Sequence, residues 1–447
     1  METQIERESE QRIRNPTSKH LKGTMSASRS PLRFQACSRT CWLLLGMLVV
    51  ASMAGSSWGQ SSSDGTAQGV DRFIVSEKAQ RIHERGYVFD GHNDLPWEIR
   101  TKVPRRFDEI DLHLPQPAFH TDIDRLRLGN VGAQFWSVYV TVETAKKGTA
   151  FQTTVEQIEL VNDMIDRYPD IFELALDANA VEQIRKRGKI ASLIGMEGGH
   201  CIEGSIGKLR QLHSMGARYM TLTHTDNVDW ADSATDTPKN DGLSAFGEEV
   251  VREMNRLGML VDLSHVSPAT MHDALDVSSR PIIFSHSSAR AIADHPRNVP
   301  DDVLKRLPEN GGVVLINFFS GFVVPESAGV LKDLLGKRRE LRERYPDNKE
   351  EFDRALKALQ AAHPYPPGDA EILIDHIEHV IRTAGIDHVG LGSDFDGISK
   401  LPLGMEDVSK YPVITELLCR RGYSESDIHK ILYGNLLRVL RDSSPGK

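Results

Sequence analysis

Cysteine is scarce in this 447-residue chain: there are four, Cys37, Cys41, Cys201 and Cys419, and none forms a CxxC pair. That excludes a disulfide scaffold and a cysteine-built structural zinc site. Excess positive charge is also missing. Lys+Arg number 54 against 63 Asp+Glu, a net charge of −9, which argues against a nucleic-acid partner, since such a surface needs a basic stripe. No long apolar run occurs. The most apolar stretch, WLLLGMLVVASMA at 42–54, is shorter than the roughly 20 residues of a membrane-spanning helix. No internal repeat stands out. The 39% apolar and 26% charged content is ordinary for a globular protein and excludes bulk disorder.

The N-terminus reads as a targeting segment. Residues 1–41 are polar and basic, acids are absent from Leu21 to Ser63, and the apolar stretch at 42–54 exits through small residues. This order describes a secretory signal, with Met25 as a candidate true start. We therefore expect an N-terminal extension and signal over 1–59, a flexible linker over 60–71 (Gly/Ser-containing), and one catalytic domain over 72–447. Export to the periplasm or extracellular space follows, with membrane attachment only if the signal is retained. No lipobox cysteine follows the apolar core, and the polar C-terminus RDSSPGK is not expected to direct a lipid anchor.

Eight short apolar runs rich in β-branched residues follow, at 87–91, 133–140, 190–195, 218–223, 259–264, 281–285, 312–318 and 388–393. Helical periodicity lies between most of them, at 154–167, 178–187, 206–215, 244–257 and 369–384, with a last helix over 424–441. Unbroken apolar strands alternating with helices imply a parallel sheet covered by helices. Eight units predict an α/β fold, a (β/α)8 barrel of the TIM type, with a doubly wound open sheet as the alternative. The segment 325–368, charged with both signs, predicts a helical insertion between strands 7 and 8. It reads as a solvated hairpin, with a lid or a dimer contact as the other readings.

Polar residues gather where these runs end. The first ends in Asp90-Gly-His92-Asn-Asp94, the third in Gly195-Met-Glu197-Gly-Gly-His200, and the next three in His224, His265 and His286; the last ends in Asp394. His92 and Asp94, two residues apart on extended chain, share a side. Barrel enzymes place their sites at the C-terminal ends of strands. A buried ring of such groups needs a compensating cation. Histidine and carboxylate without cysteine favours zinc or a similar ion, and so many ligands suit two ions sharing a carboxylate. His376 and His379, at i,i+3 on a predicted helix, read as surface residues.

The phrases DGHNDLPW (90–97), GMEGGH (195–200), RYMTLTH (218–224), VDLSHVS (261–267), IIFSHSSAR (282–290), RNVPDDVL (297–304) and GLGSDFDG (390–397) resemble the membrane dipeptidase (renal dipeptidase) family over roughly 75–441. The resemblance implies a barrel hydrolase with two zinc ions (Zn2+), usually homodimeric. By it, His92 and Asp94 match the ligands of one zinc, His265 and His286 those of the second, and Glu197 the carboxylate bridging both. His224, Arg297 and Asp394 match the substrate-contacting residues. Two departures stand out: animal members carry a lipid-anchor signal and disulfides within the domain, and here only Cys201 and Cys419 remain beyond the signal.

On this reading the substrates are small dipeptides, attacked by a hydroxide held between the two ions. His224 would stabilise the oxyanion, Asp394 would carry the proton to the leaving amine, and Arg297 would clamp the free carboxylate. The alternatives are a related metal-dependent amidohydrolase acting on another small amide or ester, including β-lactams, a phosphoesterase, and a binding protein without turnover.

Overall fold

A parallel strand buried on both faces must send its chain back along a helix before the next strand can pair. That rule accounts for the order of elements seen in the computed structural model, which describes residues 71–103, 106–346 and 348–444. The expected signal at 1–59 and all but the last residue of the expected linker lie outside the described residues.

Among the described residues there are nine strands, all parallel: β1 (Val88–Asn93), β2 (Val131–Tyr139), β3 (Phe172–Leu174), β4 (Ile190–Glu197), β5 (Ala217–Thr221), β6 (Leu260–Asp262), β7 (Ile283–Phe284), β8 (Val313–Ile316) and β9 (Val389–Leu391). Eight of them close into a ring, running β2-β1-β9-β8-β7-β6-β5-β4 and back to β2. This is the expected (β/α)8 barrel, and the open-sheet alternative falls with its closure. β3 is the strand the sequence did not reveal. It is three residues long and pairs with Ile190–Ser192 at the entry of β4. β5 takes the same edge from Ile194 onward, while β2 holds the other edge from Ala191 to Glu197, so β3 stays outside the closed ring.

Helices form at 150–167, 178–186, 206–214, 245–257 and 371–384, each within four residues of its expected bounds. Serine hydroxyls cap the starts of two of them, Ser205 onto Lys208 N and Ser244 onto Gly247 N, satisfying amides left free in a first helical turn. The expected final helix is split by a π-turn at Lys430–Gly434 into 425–429 and 435–442. Among the described residues, no helix is long and apolar enough to cross a membrane.

Strand alternation divides the core. Phe89, Phe135, Leu193, Tyr219, Leu260 and Leu315 belong to one cluster; residues from so many strands meet only in the barrel lumen. Val88, Trp136, Val138, Ile194 and Met196 face the helices instead. Arg438 donates to Gly311 O, just before β8, and Arg441 pairs with Glu182. The helices 435–442 and 178–186 thus close the N-terminal end of the barrel. The opposite rim is left for the site. The insertion lies between β8 and β9, barrel strands seven and eight as expected, and forms two helices, Pro325–Arg344 and Lys349–Ala361.

Candidate functional site

Seven of the eight candidate residues sit at or just past the C-terminal end of a strand, and Arg297 lies in the loop after β7. His92 lies on β1, with Asp94 at the start of the helix Leu95–Lys102. Glu197 ends β4, and His224, His265, His286 and Asp394 follow β5, β6, β7 and β9 within three residues. His265 and Asp394 have φ values of 69° and 66°. Non-glycine residues rarely adopt this left-handed region, and where they do the strain is often tied to function.

The residues converge on Glu197. Its Oε1 lies 3.1 Å from His265 Nε2 and 3.5 Å from both His224 Nε2 and His286 Nε2. Its Oε2 is 3.8 Å from His92 Nε2 and accepts from Ser137 Oγ at 3.4 Å. His92 Nε2 stands 3.2 Å from Asp94 Oδ2, and the Nε2 atoms of His265 and His286 are 2.9 Å apart. Three sets of ligand atoms fall within 4.8 Å of one another: His92, Glu197 and His286; Glu197, His224 and His265; and His92, Asp94 and Asp394. Gly397 is needed here because a Cβ would strike the carboxylates of Asp94 and Asp394.

The donor set fits divalent ions. Burial first, and then neighbouring groups such as Arg297, lower His224, His265 and His286 well below the usual imidazole range. Their rings are therefore neutral, with lone pairs to offer. The tautomer of His286 follows from its neighbours. Ser285 Oγ donates to Asp262 Oδ2 at 2.6 Å, so it must accept from His286 Nδ1 at 2.8 Å. That leaves the Nε2 lone pair of His286 facing its partners. His92 Nδ1 is likewise held by the Tyr219 hydroxyl at 2.8 Å. Such outer contacts are what orient metal-binding histidines. Burial raises the Glu197 carboxyl to about 7, against the pull of His92, and holds Asp394 well above its usual range. On His92 burial acts downward, but Asp94 and Glu197 outweigh it and raise the ring to about 10. Acids so deeply buried call for a compensating positive charge.

Asp394 and Arg297 flank this cluster. Asn317 Nδ2 donates to Asp394 Oδ2 at 2.8 Å. Arg297 is 3% exposed; it reaches Ser287 Oγ and His286 O only at 3.4 Å and stacks 5.3 Å from the centre of the Phe322 ring. Its Nε has no hydrogen-bond partner. Burial lowers its pKa only to about 10, so it stays a cation with donors to spare. A cavity of about 590 Å³ opens over Asp94, Glu197, His224, Arg297 and Asp394; His92 lies behind this lining. That volume suits a small ligand.

The structure brings all eight predicted residues together. It corrects one surface assignment: His376 is fully buried, accepts from Ala289 N and donates to Val323 O, a structural role. His379 pairs with Asp301 at 2.8 Å. His200 turns from the cluster to Val140 O. Cys201 and Cys419 are free. Tyr219, Asp262, Ser285 and Asn317 were missed. Tyr219, Asp262 and Ser285 lie inside three of the motif phrases, but nothing in spacing distinguishes a supporting side chain from a core or turn residue.

The family model for membrane dipeptidase (Peptidase family M19) matches residues 76–445. An uncharacterized dipeptidase of Schizosaccharomyces pombe is 42% identical over 367 residues, 79% of this chain and 80% of that one. Among solved structures, the probable dipeptidase PvdM from Pseudomonas aeruginosa has a TM-score of 0.71 at 24% identity, over 83% of this chain and 98% of that one. A metallo peptidase from Rhodobacter sphaeroides, liganded with a phosphinate mimic of the dipeptide L-Ala-D-Ala, has a TM-score of 0.65 at 23% identity, over 80% and 99%.

Proposed function

The chain belongs to the membrane dipeptidase family, peptidase family M19, and on that premise we propose that it hydrolyses free dipeptides at a centre of two zinc ions bridged by Glu197. The observation that carries this is the convergence of four imidazole Nε2 atoms on one buried carboxylate. His92 and Asp94 would hold one ion, His265 and His286 the other. Bound zinc would supply acidified water and positive charge, which amide hydrolysis at neutral pH requires.

The chain's own residues do the rest. Arg297 receives the dipeptide's free carboxylate through its uncommitted guanidinium donors. This anchor limits the substrate to a length that places the scissile amide over Glu197. His224 donates to the carbonyl oxygen as it becomes an oxyanion. Asp394 takes the proton of the attacking water and returns it to the leaving amine. With Oδ2 occupied by Asn317, Oδ1 is the atom that carries it. The dipeptide mimic bound by the Rhodobacter neighbour makes L-Ala-D-Ala a sensible first substrate. Export by the 1–59 segment and a homodimeric state belong to the same proposal, the first on the basic-then-apolar order, the second on the family resemblance.

The test is hydrolysis of dipeptides and matched tripeptides by the full chain, before and after chelation and zinc restoration, with metal counted per chain. We expect chelator-sensitive cleavage of dipeptides only, and two zinc ions. A protein holding two zinc ions that cleaves no dipeptide would overturn the substrate assignment. Full activity with one ion would overturn the bridged pair.

A further inference from the structure

The insertion is the helical hairpin its charge suggests, with no buried residue in Lys349–Ala361, but it is also fastened to the barrel. Two ion pairs bind it to the barrel rim, Lys332 to Asp294 at 2.5 Å and Arg342 to Asp226 at 2.6 Å, while Ser327 Oγ donates to Pro366 O at 2.7 Å within the insertion itself. Asp226 follows β5 and Asp294 follows β7, so the helix Pro325–Arg344 is tied across the mouth of the barrel. Beneath it lies a second cavity of about 310 Å³, walled by Leu331, Leu334, Leu335 and Leu356 of the two insertion helices. Its remaining wall includes His224, His265, Arg297 and Phe322, which also line the main cavity. The two spaces therefore meet at Arg297.

The two spaces differ in chemistry. The main cavity also carries Glu98 and Asp396, carboxylates suited to a free ammonium. The space under the insertion carries four leucines and Phe322 in its wall and no carboxylate. A carboxylate held by Arg297 puts its own α-carbon at the junction, one bond away. The rest of the dipeptide must run over Glu197 towards the acids, so the C-terminal side chain has the leucine-walled space to itself. We propose that this space is the pocket for the C-terminal side chain and that it selects a large apolar one. The assignment rests on the dipeptidase reading and on Arg297 as the carboxylate anchor. Burying such a side chain removes apolar surface from water that the same dipeptide ending in alanine leaves partly exposed.

The test compares kcat/KM for alanyl-phenylalanine, alanyl-alanine and alanyl-glutamate, with both configurations of the second residue, on the zinc-loaded full chain. We expect the phenylalanine dipeptide to lead alanyl-alanine by at least about tenfold, carried mainly by KM. Leu335→Trp, which fills the space, should bring that ratio to within about twofold of one. Leu356→Ala, which widens it, should shift preference towards alanyl-tryptophan, and it decides the matter if Leu335→Trp does not fold. Equal rates on the phenylalanine and alanine dipeptides, or a ratio that neither variant changes, overturn the pocket. A lead for alanyl-glutamate also overturns it and assigns the space to Arg338 in its wall. No cleavage of any dipeptide sinks the dipeptidase reading itself, a distinct result, and this assignment with it.

Discussion

Asn317 donates its side-chain amide to Asp394 Oδ2 at 2.8 Å, although Asn317 follows β8, a strand that contributes none of the candidate ligands. Its own Oδ1 accepts from Phe319 N at 2.5 Å, which fixes the amide's orientation. The pair sets which carboxylate oxygen of Asp394 is free. Replacing Asn317 by Leu should lower kcat about tenfold to a hundredfold while leaving the metal content of the protein unchanged. Steady-state kinetics together with metal analysis checks it; unchanged kcat would remove Asn317 from the positioning of Asp394.

Ser285 relays the charge of Asp262 to His286. Ser285→Ala removes the acceptor of His286 Nδ1 and lets the ring turn. Metal affinity should fall by about ten- to a hundredfold, read by competition with a chromogenic chelator. An unaltered affinity would show that packing alone orients His286.

Arg297 offers a planar fork that lysine does not reproduce. Arg297→Lys should keep the local charge yet raise KM for dipeptides strongly, with a loss in kcat/KM of about 1.5–3 kcal/mol, roughly ten- to a hundredfold. Wild-type KM in this variant would contradict the carboxylate anchor.

Gly195 leaves room for the Tyr219 ring, which a Cβ at that position would overlap. Tyr219 in turn holds His92 Nδ1. Gly195→Ala should therefore act twice: overpacking costs about 1–3 kcal/mol, and the displaced tyrosine weakens metal binding. A thermal melt and a metal titration on one preparation check both; loss of stability with intact metal affinity would uncouple Tyr219 from His92.

Away from the site, Glu253 pairs with Arg210 and Arg256 at 2.7 and 2.6 Å. Hydrogen bonds from both arginines, Arg256 first, hold its pKa near 2, against an ordinary value of 4.5. A carboxyl whose folded pKa is depressed stabilises the fold above its unfolded pKa, and that stability is lost as pH falls towards 2. Both arginines are more than half exposed, so solvent screening limits the contribution to on the order of 1 kcal/mol. Glu253→Gln should melt earlier than the parent at pH 7, and the gap should close between pH 4.5 and 2. A gap that persists at pH 2 would point to lost packing instead.

Much of this was legible along the chain. His92, Glu197, His224, His265, His286 and Asp394 stand out because each ends a short apolar run, and strand ends in a barrel share one rim. Arg297 carried no such signal; it sits in a loop and was found only through the motif that contains it. β3 was hidden because three residues are too few to show a period. His376 looked like a surface residue because one polar position on an amphipathic helix gives no sign of the two backbone groups that satisfy it in the core.

What the sequence by itself determined is local: apolar runs at alternating positions, helices between them, and ionisable groups where the runs stop. Those follow from side-chain periodicity and turn chemistry within a few residues. Tertiary structure decided which groups meet. Glu197 lies among four histidines because β1, β5, β6 and β7 are held around it by closure of the ring. The left-handed turns at His265 and Asp394 also exist only where the closed rim supports their strain. The leucine-walled space has the same origin, since ion pairs to residues more than a hundred positions away, and some forty away, draw a charged helix across the mouth. Such contacts depend on distances between strands, which no local pattern encodes.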